Sequence, residues 1–464
     1  MSAPTRELRQ VARLALPALV VLAAEPLYVL VDTAVVGHLR GTALAGLAVG
    51  GSVLTFAAWL GNVLAYGTTG RAARRFGAGD RAAAVSEGVA ASWLALSAGL
   101  IIAIGAELVA GPLVRVLAGP HPDVVHGAEV WLRIAALGAP GLLLATAGNG
   151  WMRGVQDTRR PLRYVLGANL LSAILCPILV YPLGLGLAGS AVANLTAQTV
   201  VGAAFVLALV REKVPLRPDL PLIRSQLTVG RDLIIRGGAF QACFLSATAV
   251  ASRFGPAALS AHAIALQLWL FCSLAMDAVA IAAQALIGAA LGGSRGEEAR
   301  ALARRIAIIG FGCGCGFALL VLAGWHVLPR WFSPDPRVYA QAAIVWPWFV
   351  AMQPIAGVVF AIDGVLIGAG DLAFLRNLTV GGALAGFLPA IWLALGLRLG
   401  LGGIWCGLTL FVLIRFVGSV IRLRGGRWAI EDTPPPDPLV DHELSYMIDG
   451  IQPDELHDRR REAS

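Results

Sequence analysis

Among the carboxylates inside apolar runs of this chain, four stand where an acidic side chain most needs a reason to be: Glu25, Asp32, Asp277 and Asp363. Asp32 is the most telling. It sits deep in the run from residue 13 to 36, at a depth where a charged residue costs about 2.5 to 3.5 kcal/mol on insertion scales. A carboxyl withdrawn from water can exchange a proton near neutral pH, or hold a cation while deprotonated. The bland alternative is a hydrogen-bonded tie between helices. Glu25, seven residues earlier, falls on nearly the same helix face beside Pro26, although it can also sit near solvent. In the second half Arg236 enters another apolar run. With Asp277 and Asp363 it suggests a buried acid–base network, serving as a structural clamp or in transport. His262 has the intrinsic range of a pH sensor, but a lone histidine in an apolar helix is more often a packing residue.

Other chemistries are excluded by the residues that would carry them. The only lysine is Lys213, preceded by Glu212, so the glycine–lysine core of a nucleotide-binding phosphate loop does not exist here. His38 and His262 have no acidic partner at useful spacing, which speaks against a membrane enzyme such as an acyltransferase. The six cysteines, Cys313 and Cys315 included, all lie in apolar stretches and read as small packing residues. No metal-ligand spacing is present, and no cofactor is expected.

What must position the carboxylates is a membrane bundle. Of the 464 residues, 57% are hydrophobic and 14% charged, where soluble domains carry about 25% charged residues. Twelve apolar runs have the length a helix needs to cross about 30 Å of hydrocarbon. They are read at 13–36, 45–68, 87–110, 128–151, 162–182, 187–210, 232–252, 258–290, 304–328, 340–368, 374–397 and 401–423. The 55 glycines, costly in soluble helices, let helices approach closely in lipid. The net charge of +8 is no sign of nucleic acid, because the basic residues alternate between loops. Arg6, Arg9 and Arg13, then Arg71, Arg74, Arg75 and Arg81, then Arg153, Arg159, Arg160 and Arg163 lie on one side. The intervening loops hold mostly one or two, such as Arg40, Arg115, Arg253 and Arg398. The positive-inside rule then puts both termini in the cytoplasm of a bacterial inner-membrane protein.

The chain also repeats at an offset of 214 residues. Gly41 matches Gly255, Gly186 matches Gly400, Asp157 matches Asp371, and Pro120, Pro122 and Pro140 match Pro334, Pro336 and Pro354. With six spans in each half, the halves enter the membrane in the same sense. The expected fold is all-α, two parallel six-helix bundles related by a pseudo-twofold axis along the membrane normal, with substrate bound between them. The divisions are 1–210 for the first lobe, 211–230 for a cytoplasmic linker, 231–425 for the second lobe, and 426–464 for a disordered cytosolic tail marked by Pro434 to Pro436. The buried charges are not repeated: Asp32 corresponds to Ser246, Asp277 to Val63 and Asp363 to Asn149.

Six short motifs together resemble the multidrug and toxic compound extrusion family, and within it the branch named for DNA-damage-inducible protein F. They are residues 15–17 (ALP), 32–38 (DTAVVGH), 69–80 (TGRAARRFGAGD), 153–158 (RGVQDT), 276–284 (MDAVAIAAQ) and 363–368 (DGVLIG). Each is weak alone, and their order and spacing over both halves make the resemblance specific. It implies two lobes rocking between inward and outward states, exporting organic cations or other amphipathic compounds against a proton or sodium gradient. It also implies Asp32 as the coupling residue. The family often adds an Asn and an Asp four apart in the fifth span; aligned through Asn169, those places here hold Ser172 and Cys176. That departure removes a second carboxylate and favours protons as the coupling ion. The expected partners are a small cationic or amphipathic substrate, protons or else sodium, and the lipid bilayer, with no nucleic acid, for a protein working as a monomer. Flippases of lipid-linked precursors share related architecture; cationic side chains inside the cavity would favour them, and Arg236 is the candidate.

Overall fold

The computed structural model describes residues 3–39, 41–119 and 121–431; residues 1–2, Arg40, Pro120, the side chains of residues 3–7 and residues 432–464 lie outside them. Helices α1 (Ala3–Gly37), α2 (Ala43–Gly77), α3 (Arg81–Ala118), α4 (Pro122–Ala136), α5 (Ala139–Gly154), α6 (Arg159–Val180) and α7 (Gly186–Arg211) make the first bundle. The second consists of α8 (Leu220–Ser252), α9 (Pro256–Gly292), α10 (Gly296–Ala323), the short α11 (Leu328–Phe332), α12 (Pro336–Gly368), α13 (Leu372–Gly396) and α14 (Gly400–Arg424). Helices suit lipid because each satisfies its own backbone polar groups. Eleven of them are long and apolar enough to span a membrane, and α4 with α5, bent by 49° at their junction, completes a twelfth span. All twelve spans expected from the apolar runs are present.

Two departures have simple causes. The fourth span, read as one run over 128–151, breaks at Leu137 and Gly138 because Pro140, in the first turn of α5, has no N–H to offer the turn before it. Its repeat partner Pro354 is carried inside the unbroken α12. The linker is largely helix: α8 starts at Leu220, where the Asp219 carboxylate accepts from the Leu222 N–H at 3.1 Å, so residues 220–230 continue the seventh span rather than join the lobes as a loop.

The repeat is written into the backbone. Gly41 and Gly255 both take left-handed conformations, φ +83° and +100°, and so do Gly186 and Gly400, at +54° and +66°. A side chain at these turns would be strained, which is why glycine recurs at the 214 offset.

The bundles meet along α2 and α9, counterparts under the repeat. A Cβ on Gly77 would stand 2.0 Å from the Ala289 carbonyl oxygen, and one on Gly292 would stand 1.9 Å from the Arg74 carbonyl oxygen. Val11 and Leu14 of α1 share a core with Leu286 and Ala290 of α9. Arg74 reaches across to donate to the carbonyls of Ala369 at 2.7 Å and Ile430 at 3.2 Å. These contacts gather at the arginine-rich end, which is closed.

The packed fold runs past residue 425, where the sequence reading begins the tail. Trp428 is 2% exposed within the second bundle's core, and the Glu431 carboxylate accepts from the Gly296 N–H at 3.0 Å, at the start of α10. The remainder of the expected tail lies outside the described residues.

Candidate functional site

Each bundle encloses its own cavity, and the two differ in charge. The first, about 300 Å3, lies among α1, α2, α4, α6 and α7. Asp32 reaches it from α1 and is 4% exposed. Its Oδ1 accepts from the Ser190 hydroxyl at 2.7 Å and the Cys176 thiol at 3.1 Å. Ser190 is itself fixed by the Trp131 indole N–H at 3.1 Å. Glu25, one helix face with Asp32, lines the same cavity, as does Asn169 of α6. Ser172 is buried beside the Tyr28 hydroxyl, to which the Asn194 amide donates at 3.4 Å. The structure thus brings Glu25, Asp32, Asn169, Ser172 and Cys176 together. Among the described residues lining this cavity none is basic, so its acids face neutral donors only.

The second cavity, about 240 Å3, lies in the other bundle and is floored by charge and walled by rings. Arg236 of α8 and Arg415 of α14 both donate to Oδ2 of Asp363 on α12. The guanidinium carbons lie 5.4 Å and 4.7 Å from the Phe240 ring centroid, a distance at which the ring face attracts a cation. Asp277 lines the same cavity, as does Tyr66, which belongs to α2 of the opposite bundle. Arg236, Asp277 and Asp363, expected as a network, do share one site. His262 does not: it is 1% exposed, packed edge-on against Trp405 at 5.9 Å, and absent from both linings. Among the described residues there is no cluster of three or more metal-ligating side chains.

Comparison with known proteins follows the halves. The model of the family described as MatE matches residues 17–178 and again 234–392, once per bundle. The chain belongs to the MatE family. Among curated relatives, "Protein DETOXIFICATION 44, chloroplastic" of Arabidopsis thaliana is 32% identical over 92% of this MatE chain and 85% of its own length. "DNA damage-inducible protein F" of Escherichia coli (strain K12) is 30% identical over 89% and 92%. A solved MATE structure, in what its title terms the bent conformation, superposes with a TM-score of 0.82 at 21% identity, covering 93% of this chain and 98% of the other. A MOP superfamily transporter from Pyrococcus furiosus Vc1 (DSM3638), whose title reports a binding pocket of reversed polarity, gives 0.76 at 21%. At that identity the structures bear on the fold alone. The MatE chain is a multi-pass membrane transporter of an efflux family, not an enzyme.

Several lining residues of this MatE transporter escape a search for buried charge. On α7, Ser190, Asn194 and Gln198 recur at intervals of four, a polar stripe in which Ser190 holds Asp32 and Asn194 and Gln198 line the first cavity. Periodicity in the sequence carried that signal. Arg415 is masked by Arg422 and Arg424, which make it look like part of the basic end of the last span.

Proposed function

We propose that this protein exports amphipathic compounds, organic cations among them, by proton antiport through Asp32. The protein would sit as a monomer in a bacterial cytoplasmic membrane, with the arginine-rich end inside. The observation that carries the reading is the setting of Asp32: a buried carboxylate on the wall of an acid-lined cavity, held by one hydroxyl and one thiol. Ionised, it and Glu25 favour a cation in the cavity; protonated, Asp32 no longer does. Coupling requires only that proton and substrate bind the two states with different affinity. Sodium, a hard cation, calls for several oxygen ligands, and the Cys176 sulfur is a poor substitute for the missing one. On this reading Asp32 takes a proton and substrate leaves in the outward-open stage, when the arginine-rich end is closed.

The test is flux of a fluorescent organic cation in vesicles under imposed pH or sodium gradients, with Asp32→Asn beside the wild type. Efflux driven by pH alone and lost in the variant is expected. Dependence on sodium replaces the coupling ion; no cation flux under either gradient in folded protein defeats the cargo. The rival cargo, a lipid-linked precursor, gains from Arg415 joining Arg236 in the second cavity, but both guanidiniums are engaged by Asp363.

A further inference from the structure

The geometry points to a separate binding site in the second cavity for a small amphipathic zwitterion, a molecule with an aromatic or apolar body and a polar end carrying both an anionic and a cationic group. Two features of the lining lead there. The first is its charge. Arg236 and Arg415 are opposed by Asp363 and Asp277, so the formal charges cancel. In a low-dielectric cavity a lone cation or a lone anion would add an uncompensated charge, whereas a zwitterion adds none.

The second feature is what the charges leave unused. Five buried polar atoms of the lining residues have no hydrogen-bond partner within the protein: Nε of Arg236, Nε1 of Trp405, Oδ1 of Asp363, and both Nε2 and Oε1 of Gln284. Three are donors and two are acceptors. A purely structural Arg–Asp–Arg clamp would be expected to close on itself, since native interiors leave few such atoms unpaired. Gln284 is 1% exposed, and its amide has no role in the clamp. A carboxylate suits Arg236 Nε and Gln284 Nε2, and an ammonium suits Asp363 Oδ1 and Gln284 Oε1. A simple anion would leave Asp363 Oδ1 facing it, and a simple cation would leave Arg236 Nε facing it. Phe244, Trp269, Phe360 and Phe411 supply the apolar walls. At about 240 Å3 the space falls short of the roughly 300 to 1,000 Å3 usual for drug-sized ligands, which limits the occupant to about the size of an aromatic amino acid.

This site goes beyond the antiport reading and does not depend on it, because Asp32 lines the other cavity. The experiment uses three probes with one body: phenylalanine as zwitterion, phenethylamine as cation and phenylpropionate as anion. Each is titrated calorimetrically into the purified full-length protein in lipid nanodiscs. Phenylalanine is expected to bind at least tenfold more tightly than either singly charged probe. Gln284→Leu, which leaves every charge in place, is expected to weaken phenylalanine by about tenfold and the others by less than threefold, and Arg415→Gln to abolish the preference. Asp32→Asn, which tests the antiport reading, is expected to leave phenylalanine binding unchanged. The proposal is overturned by equal affinity for the three probes, by no binding of any, by preference for a singly charged probe, or by a Gln284→Leu protein that binds phenylalanine as the wild type does.

Discussion

Gly77 and Ala289 meet backbone to backbone, so closely that a Cβ on the glycine would lie 2.0 Å from the alanine carbonyl oxygen. The reciprocal contact joins Gly292 to Arg74, and together they let α2 and α9 seal the arginine-rich end. Overpacking of this kind costs about 1 to 3 kcal/mol, enough to shift a two-state population by about 5- to 150-fold. Gly77→Val and Gly292→Val are therefore expected to hold that end open and to cut transport by at least tenfold. Gly105→Ala, which has nothing within 4 Å of its new Cβ, should transport normally. Disulfide trapping between cysteines placed on the two helices reads the closure; trapping as efficient in Gly77→Val as in the parent would refute the idea.

Asp363 holds two guanidiniums with one oxygen, and α8, α12 and α14 are tied through it. Removing one member of a buried charge group leaves the others uncompensated, at about 3 to 5 kcal/mol. Asp363→Ala should accordingly lower the unfolding midpoint far more than the triple replacement of Arg236, Asp363 and Arg415 by apolar residues of similar size. If the single and triple variants unfold at the same temperature, the ion group is not what holds these helices.

Glu212, at the end of α7 and outside the membrane, offers a pH test. Burial pushes its carboxyl up, but hydrogen bonds and charge from Arg81 at 2.9 Å and Arg160 at 3.3 Å outweigh that and hold it below its ordinary value of 4.5. A carboxyl depressed on folding stabilises above its unfolded value, and the contribution fades as pH falls through the folded one. Since both arginines are half exposed, it is worth about 0.2 to 1 kcal/mol, or about 1 to 3 °C. Wild type should melt above Glu212→Gln by that margin at pH 7 and converge with it below pH 4.5. A gap that persists at pH 3 would mean that shape rather than charge matters at this position.

The spans were legible because their length is dictated by the bilayer and their register by glycines that turn the chain at fixed offsets, as Gly186 and Gly400 do. Asp32 was legible because a lone carboxylate in apolar sequence has few explanations. Of its partners, Cys176 was reached only through the alignment of the fifth span and Ser190 not at all, since both are neutral, small and common in membrane helices, and only packing shows that they converge on one oxygen. Arg415 was hidden for the opposite reason: it resembles its basic neighbours at the end of α14, and only the fold turns it inward onto Asp363. The bend between α4 and α5 was hidden too, because Pro140 and Pro354 occupy matching places and only one of them breaks its helix.

Trp428 is a structural part of the second lobe. It is 2% exposed, its indole N–H donates to the Leu423 carbonyl at 3.0 Å, and it shares a core with Ala299, Leu302 and Ala303 of α10. Three residues later Glu431 caps the first turn of α10, while Arg74 of the other lobe donates to Ile430. Truncating a buried Trp to Ala costs about 3 to 5 kcal/mol, so Trp428→Ala should lower the unfolding midpoint markedly. Glu431→Gln keeps the acceptor at Gly296 and should cost little, under about 1 kcal/mol. Because the Ile430 carbonyl is gripped from across the lobe boundary, Trp428→Ala should also loosen the closed end and raise the labelling of a cysteine placed at Ala289. Melting curves and labelling rates measured on the same preparations separate the two effects: lower stability with unchanged labelling would leave Trp428 as a core residue of its own lobe and remove it from the closure.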